Sequence, residues 1–216
     1  MPKAVQNPCI YVLAGTNGAG KSSIGGAMFR QRGAEYFNPD EAARLILSAN
    51  PGITQDKANS AAWNEGKRLL ERAIVERYNF AMETTLGGHT LAALLEKATL
   101  ARIEVRVWYV GLESPELHIA RVRARVERGG HDIPEGKIRR RYARSIWNLI
   151  QLLPKLTEVF VYDNSEEADP HSGRVPNPKL ILHARKGKPM KTCDLKQAPH
   201  WAKPILMAAM HAFVNK

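Results

Sequence analysis

The chain has 216 residues, 44% hydrophobic and 25% charged, with a formal net charge of +11 at pH 7, which suits one sizeable buried core and excludes a disordered or fibrous chain. No apolar run approaches the ~20 residues of a membrane span, and MPKAVQNP followed by the short run CIYVLAG lacks the layout of a secretory leader, so no membrane partner is expected. Two cysteines, Cys9 and Cys193, without paired or metal-ligand spacing point to a reducing cytoplasm.

In chain order, CIYVLA (9–14) reads as a buried strand and residues 21–32 as a helix. AEYF (34–37) is a second strand, and Asp40 stands where an N-cap would start EAARLIL. Residues 60–78 form a long helix with Leu70, Ala73, Ile74 and Tyr78 on one side; NFAM (79–82) is a strand; residues 90–101 are again helical. IEVRVWYVG (103–111) is a strand, and the helix after Pro115 runs to Arg128, where Gly129-Gly130 stops it. Pro134 opens a further helix carrying Ile138, Tyr142, Ile146, Leu149 and Leu153. EVFVY (158–162) and KLILH (179–183) are the last strands, separated by the polar connector EEADPHSGRVPNP, and WAKPILMAAMHAF closes the chain as a helix. Strands alternating with helices predict an α/β fold with a mostly parallel sheet flanked by helices. Such sheets bind ligands beyond the carboxyl ends of their strands, where Gly15, Asp40 and Glu83 all fall.

Gly15-Thr16-Asn17-Gly18-Ala19-Gly20-Lys21-Ser22 matches GxxxxGK[ST] between a strand and a helix. Glycines let successive backbone N–H groups face phosphate oxygens, and the next helix adds its positive end. Gly15, Asn17, Gly18, Ala19, Gly20, Lys21, Ser22 and Ser23 are therefore expected to bind a nucleotide, with Lys21 on the β- and γ-phosphates and the Ser22 hydroxyl on Mg²⁺. VFVYD, ending at Asp163, fits the apolar string that often ends in a magnesium-binding Asp, but Asp163-Asn164-Ser165 is equally an ordinary strand exit.

FAMETTLGGH (80–89) ends a strand on a carboxylate, and an ionised Glu in such a place needs a partner. For Glu83 that partner is an acceptor substrate, magnesium-bound water or a basic side chain. Arg121, Arg125 and Arg128 stand at i, i+4 and i+7, one helix face carrying three cations that an anion would stabilise. Residues 121–144 hold nine Lys/Arg against three Asp/Glu, and residues 170–216 hold nine against one. An anionic ligand or nucleic acid would account for this, although little aromatic interleaving argues against single-strand stacking.

With GTNGAGKSS, FNPDEAAR, FAMETTLGG and RVRARVERGGHDIPEGKIRRRYARS in one order, the sequence resembles the zeta toxin family of P-loop kinases over about residues 9–165. Within it, the chain looks closer to the small ATPase branch. The resemblance implies a P-loop kinase-like domain over 1–165 with an arginine-rich helical lid at about 115–145, and a basic C-terminal extension over 166–216 packed on it. It implies transfer of the ATP γ-phosphate, with Mg²⁺, to a hydroxyl of a nucleotide sugar such as UDP-N-acetylglucosamine, and an antitoxin over the glycine loop. Asp40 would be the general base, Glu83 with Thr85 would hold the sugar, and Arg121 and Arg128 would close on the γ-phosphate ahead of Arg125. The competing expectation is a polynucleotide or nucleoside kinase, or a nucleotide-gated binding protein.

Overall fold

The computed structural model describes residues 7–21, 35–166 and 177–214. Strands β1 (Cys9–Ala14), β2 (Glu35–Phe37), β3 (Phe80–Thr84), β4 (Glu104–Gly111) and β5 (Glu158–Asp163) run parallel. Two further strands, β6 (Lys179–Arg185) and β7 (Lys188–Thr192), extend the sheet antiparallel, giving the order β2-β3-β1-β4-β5-β6-β7. The helices are α1 (Pro39–Ala49), α2 (Gln55–Glu76), α3 (His89–Leu100), α4 (Pro115–Glu127), α5 (Glu135–Leu152) and α6 (Lys203–Val214). The helix expected over 21–32 lies outside the described residues except for Lys21.

Period-two alternation sorts the strand residues onto two faces. Ile10, Val12, Phe80, Met82, Val105, Val107 and Tyr109 pack with Leu70, Leu95, Leu149 and Ile205, so α2, α3, α5 and α6 cover one face with the main core. Leu13, Ala81, Trp108 and Val110 form a cluster on the other. Alpha helices α4 and α5 share a smaller core of Ile119, Val122, Ile133 and Ile138, set apart from the sheet. Among the described residues no helix is long and apolar enough to cross a membrane.

Two local expectations change. Asp40 is not the N-cap of α1: Asn38 is, accepting from the backbone N–H groups of Asp40 and Glu41, with Pro39 at the first helical position. Pro39 has no N–H to leave unsatisfied, which is why the helix starts there. The strand β7 carries the sequence KPMKT, which has no apolar periodicity because every residue in it is exposed. Its Pro and two Lys suit the outer edge of a sheet, which must not invite a further strand.

Candidate functional site

The parallel order brings three strand ends together. Leu13 of β1 pairs with Glu83 of β3, and Met82 pairs with Phe37 of β2. Beyond these ends the chain turns into the glycine loop, the start of α1 and the loop over residues 85–88. A cavity of about 710 Å³ opens there, lined by Asn17, Lys21, Asp40, Glu83 and Thr85 among others.

The glycine loop has the backbone a phosphate cradle needs. Gly15, Gly18 and Gly20 all take positive φ, and a Cβ would strike the Val110 carbonyl, the His118 carbonyl or the Asn164 amide respectively. Both the dihedral and the space exclude a side chain. Ala19 N–H bonds back to the Thr16 carbonyl at 3.1 Å, and Gly15 N–H to the Thr84 carbonyl at 3.2 Å. Ser22 and Ser23 lie outside the described residues.

Lys21 is 8% exposed and Glu83 6%, and their Nζ and Oε1 atoms lie 3.7 Å apart. The other carboxylate oxygen, Oε2, accepts from the Tyr36 hydroxyl at 3.0 Å and from Asn38 Nδ2 at 3.1 Å. Burial pulls the Lys21 ammonium below its usual range, and the Glu83 charge works against that fall. Of the three partners expected for Glu83, the chain itself supplies the basic side chain. Asn38 does two jobs: its oxygen caps α1 and its nitrogen holds Glu83. The pair Asn-Pro ahead of a helix was a legible cap signal.

Asp40 is half exposed and faces the segment between α4 and α5, with Arg125 Nη1 and His131 Nε2 each 3.9 Å from its carboxylate. Arg125 also donates to the His131 carbonyl at 3.0 Å. Burial lowers the His131 pKa, with Asp40 opposing.

Arg121 and Arg128, favoured from spacing and resemblance, are not among the arginines that line the cavity. Arg121 Nη2 donates to the Glu166 carbonyl at 3.1 Å, on the β5 exit. Arg128 is exposed and its Nε folds back onto the Ala124 carbonyl at 3.0 Å. Spacing defines a helix face but not what that face meets. Arg140 and Arg141 of α5 reach the cavity instead, and Arg141 Nη1 donates to Asn17 Oδ1 at 2.7 Å.

Thr85 lines the cavity, and its carbonyl accepts from the buried Ser145 hydroxyl at 2.7 Å. Asn148 Nδ2 holds the Leu86 carbonyl at 2.7 Å, so α5 fixes the loop after β3. Asp163 is used structurally: its Oδ1 accepts from the Ser165 hydroxyl at 2.5 Å and from the Trp201 indole at 3.0 Å. Its neighbour Asn164 reaches the glycine loop, donating from Nδ2 to the Ala19 carbonyl at 2.9 Å. Gln55, Asn59 and Trp63 on α2 complete the far wall of the cavity. Their stripe, at intervals of four, carries two amides and an indole on a helix whose apolar side alone had been read.

Residues 1–174 match the family model described as zeta toxin. An uncharacterised protein of Haemophilus influenzae is 32% identical over 139 residues, which span 64% of this chain and 94% of that protein. Among solved structures, AvrRxo1-ORF1 in its complex with ORF2 and ATP superposes with a TM-score of 0.65 at 12% identity, covering 94% of this chain. The chain spans 64% of that protein's length. The PezAT toxin–antitoxin system of Streptococcus pneumoniae superposes with a TM-score of 0.59 at 16% identity, over 100% of this chain and 82% of that one. A Chloroflexus aurantiacus protein described as a kinase gives 0.51 at 13% identity, over 63% of this chain and 77% of its own. The fold is that of P-loop kinases, and the chain belongs to the zeta toxin family.

Proposed function

We propose that the protein is an ATP- and Mg²⁺-dependent phosphotransferase that moves the γ-phosphate of ATP to a hydroxyl of a small acceptor, a nucleotide sugar such as UDP-N-acetylglucosamine being the first to try. The carrying observation is the convergence of the glycine cradle, Lys21, Glu83 and Asp40 on one cavity. Phosphoryl transfer is mostly positioning and charge neutralisation. Lys21 brings a buried cation to the cradle, where Glu83 orients it. Asp40, half exposed at the cavity wall, is placed to take the proton of an acceptor hydroxyl, a contribution typically of ~10²–10⁴-fold in rate. Arg125, beside Asp40, and Arg141, beside Asn17, take the part first given to Arg121 and Arg128. Thr85, Gln55, Asn59 and Trp63 face the space left for the acceptor.

The residues present suit a triphosphate, because the three positive-φ glycines let the loop backbone curl tightly against Val110, His118 and Asn164 on its way to Lys21. Mg²⁺ in such sites is held by phosphate oxygens, water and one or two protein groups; Ser22 and Glu83 are the candidates here. When bound it neutralises charge on the β- and γ-phosphates. An antitoxin that covers the glycine loop belongs to the same proposal, supported by the toxin–antitoxin context of the pneumococcal relative.

The test is transfer of label from γ-labelled ATP, with Mg²⁺, to a panel of nucleotide sugars, nucleosides and oligonucleotides, with Lys21→Ala alongside. Label on a nucleotide sugar, absent in the variant, is the expected result. Label on an oligonucleotide would replace the acceptor class, and ATP binding without transfer to anything would overturn the proposal.

A further inference from the structure

We propose that His118, which lies outside every motif of the sequence, is a positioning residue for the phosphate-binding loop: its Nδ1–H holds the Asn17 carbonyl and thereby aims the Gly18 N–H into the cradle. The inference rests on the reading of that loop as the ATP site.

The geometry starts from one peptide plane. His118 sits in the first turns of α4, is 1% exposed, and its Nδ1 lies 2.8 Å from the Asn17 carbonyl oxygen. A carbonyl only accepts, so the ring proton is on Nδ1. The structure holds no cis peptide bond among the described residues, and in a trans peptide C=O and N–H point in opposite directions. Fixing the Asn17 carbonyl toward α4 therefore turns the Gly18 N–H away from α4. A flip of the same plane would withdraw a phosphate donor and present an oxygen in its place.

Independent contacts hold the same point. The Asn17 side chain is tied at Oδ1 by Arg141, 2.7 Å away. Gly18 has φ +82°, and a Cβ there would lie 2.7 Å from the His118 carbonyl, so the backbone of α4 presses directly on the loop. The imidazole packs edge-on against Tyr142 of α5, with ring centroids 5.5 Å apart, and the Tyr142 hydroxyl donates to the Glu113 carbonyl at 3.1 Å. The ring thus has a fixed orientation as well as a fixed tautomer. Burial, with the cations of Lys21 and Arg121 nearby, keeps the imidazole neutral, its pKa held down to about 4. A neutral donor adds no further positive charge beside Lys21 and puts the loop geometry outside the reach of ordinary pH changes.

Two substitutions separate positioning from packing. His118→Phe keeps a ring against Tyr142 and removes the donor, leaving a buried carbonyl unpaired. His118→Asn loses the ring but carries an amide N–H close to the Nδ1 position. Direct titration with Mg·ATP is expected to show His118→Phe weakened by roughly 10- to 100-fold and His118→Asn within about 3-fold of the unsubstituted protein. Thermal stability should follow the opposite order, with the Asn variant the less stable. In a transfer assay the Phe variant should show a raised KM for ATP, with kcat at saturating ATP changed far less. Should His118→Phe not fold, His118→Gln, which sets its amide one bond too far out, takes its place with the same expected loss.

A Phe variant that binds ATP as tightly as the unsubstituted protein, or an Asn variant no better than Phe, would overturn the inference while leaving the nucleotide site standing. An unsubstituted protein that binds no ATP would remove the nucleotide reading, and this inference with it.

Discussion

Glu83 is a buried carboxylate whose meaning was visible in the sequence only as a demand for a partner. The strand register puts it beside the end of β1, so that Lys21 reaches one oxygen while Tyr36 and Asn38 hold the other. The demand was legible because burying an ionised group is costly wherever it occurs. The identity of the partner was not, since it depends on which strands lie side by side. The arginines teach the same lesson: their period showed in the sequence, but only the placing of α4 and α5 separates Arg141, at the cavity, and Arg125, beside Asp40, from Arg121 and Arg128. His118 gave no signal at all, being one histidine in an otherwise amphipathic helix. It does carry a consequence for acid stability. A histidine whose pKa is about 4 in the folded protein against 6.5 otherwise binds fewer protons folded than unfolded. Its contribution to stability is therefore complete above pH 6.5 and is lost as pH falls toward 4, by as much as ~3 kcal/mol. Chemical denaturation followed across that window should show a steeper acid loss in the natural protein than in His118→Asn. Identical slopes would mean that the ring is not held neutral by the fold.

At the scale of elements, strands and helices were legible wherever one face is apolar, because periodicity records burial. Helix α2 was predicted over 60–78 and observed over Gln55–Glu76, its first turn missed because it faces the cavity with Gln55 and Asn59 rather than the core. The exposed edge strand β7 was missed for the corresponding reason. A subtler feature is Gly66, which lies in the middle of α2, where a glycine costs roughly 1 kcal/mol against alanine by propensity alone. The structure supplies the reason for it: a Cβ at this position would come 2.6 Å from the Phe37 ring. Gly66 lets α2 lie close against β2, the strand that leads into Asn38 and Asp40. Gly66→Ala is expected to destabilise the protein by about 1–3 kcal/mol through overpacking, despite the better helix former. A thermal melt reads this directly, and an unchanged or raised midpoint would show that the helix can stand further off without cost.

For the molecule as a whole, the alternation of strands and helices gave the parallel sheet and the end of it at which to look for a site. What it left open was how the basic C-terminal segment relates to that sheet. The answer is hydrogen bonding and packing: β6 pairs antiparallel with β5, and Trp201 lies against Gly111, where a Cβ would meet its ring at 2.3 Å. The same indole holds Asp163 through Oδ1, which gives the end of that apolar string a structural partner. On α5, by contrast, Lys137, Arg140 and Arg141 bring positive charge to the cavity that carries Asp40. We propose that this cavity performs phosphoryl transfer with Asp40 as the base. The measurement that tests it most directly is the comparison of Asp40→Asn with the unsubstituted protein, taking the Kd for Mg·ATP and the single-turnover transfer rate on the same preparations. The expected result is an ATP affinity changed by no more than about 3-fold and a transfer rate lowered by ~10²–10⁴-fold. Transfer at the natural rate in Asp40→Asn would contradict it.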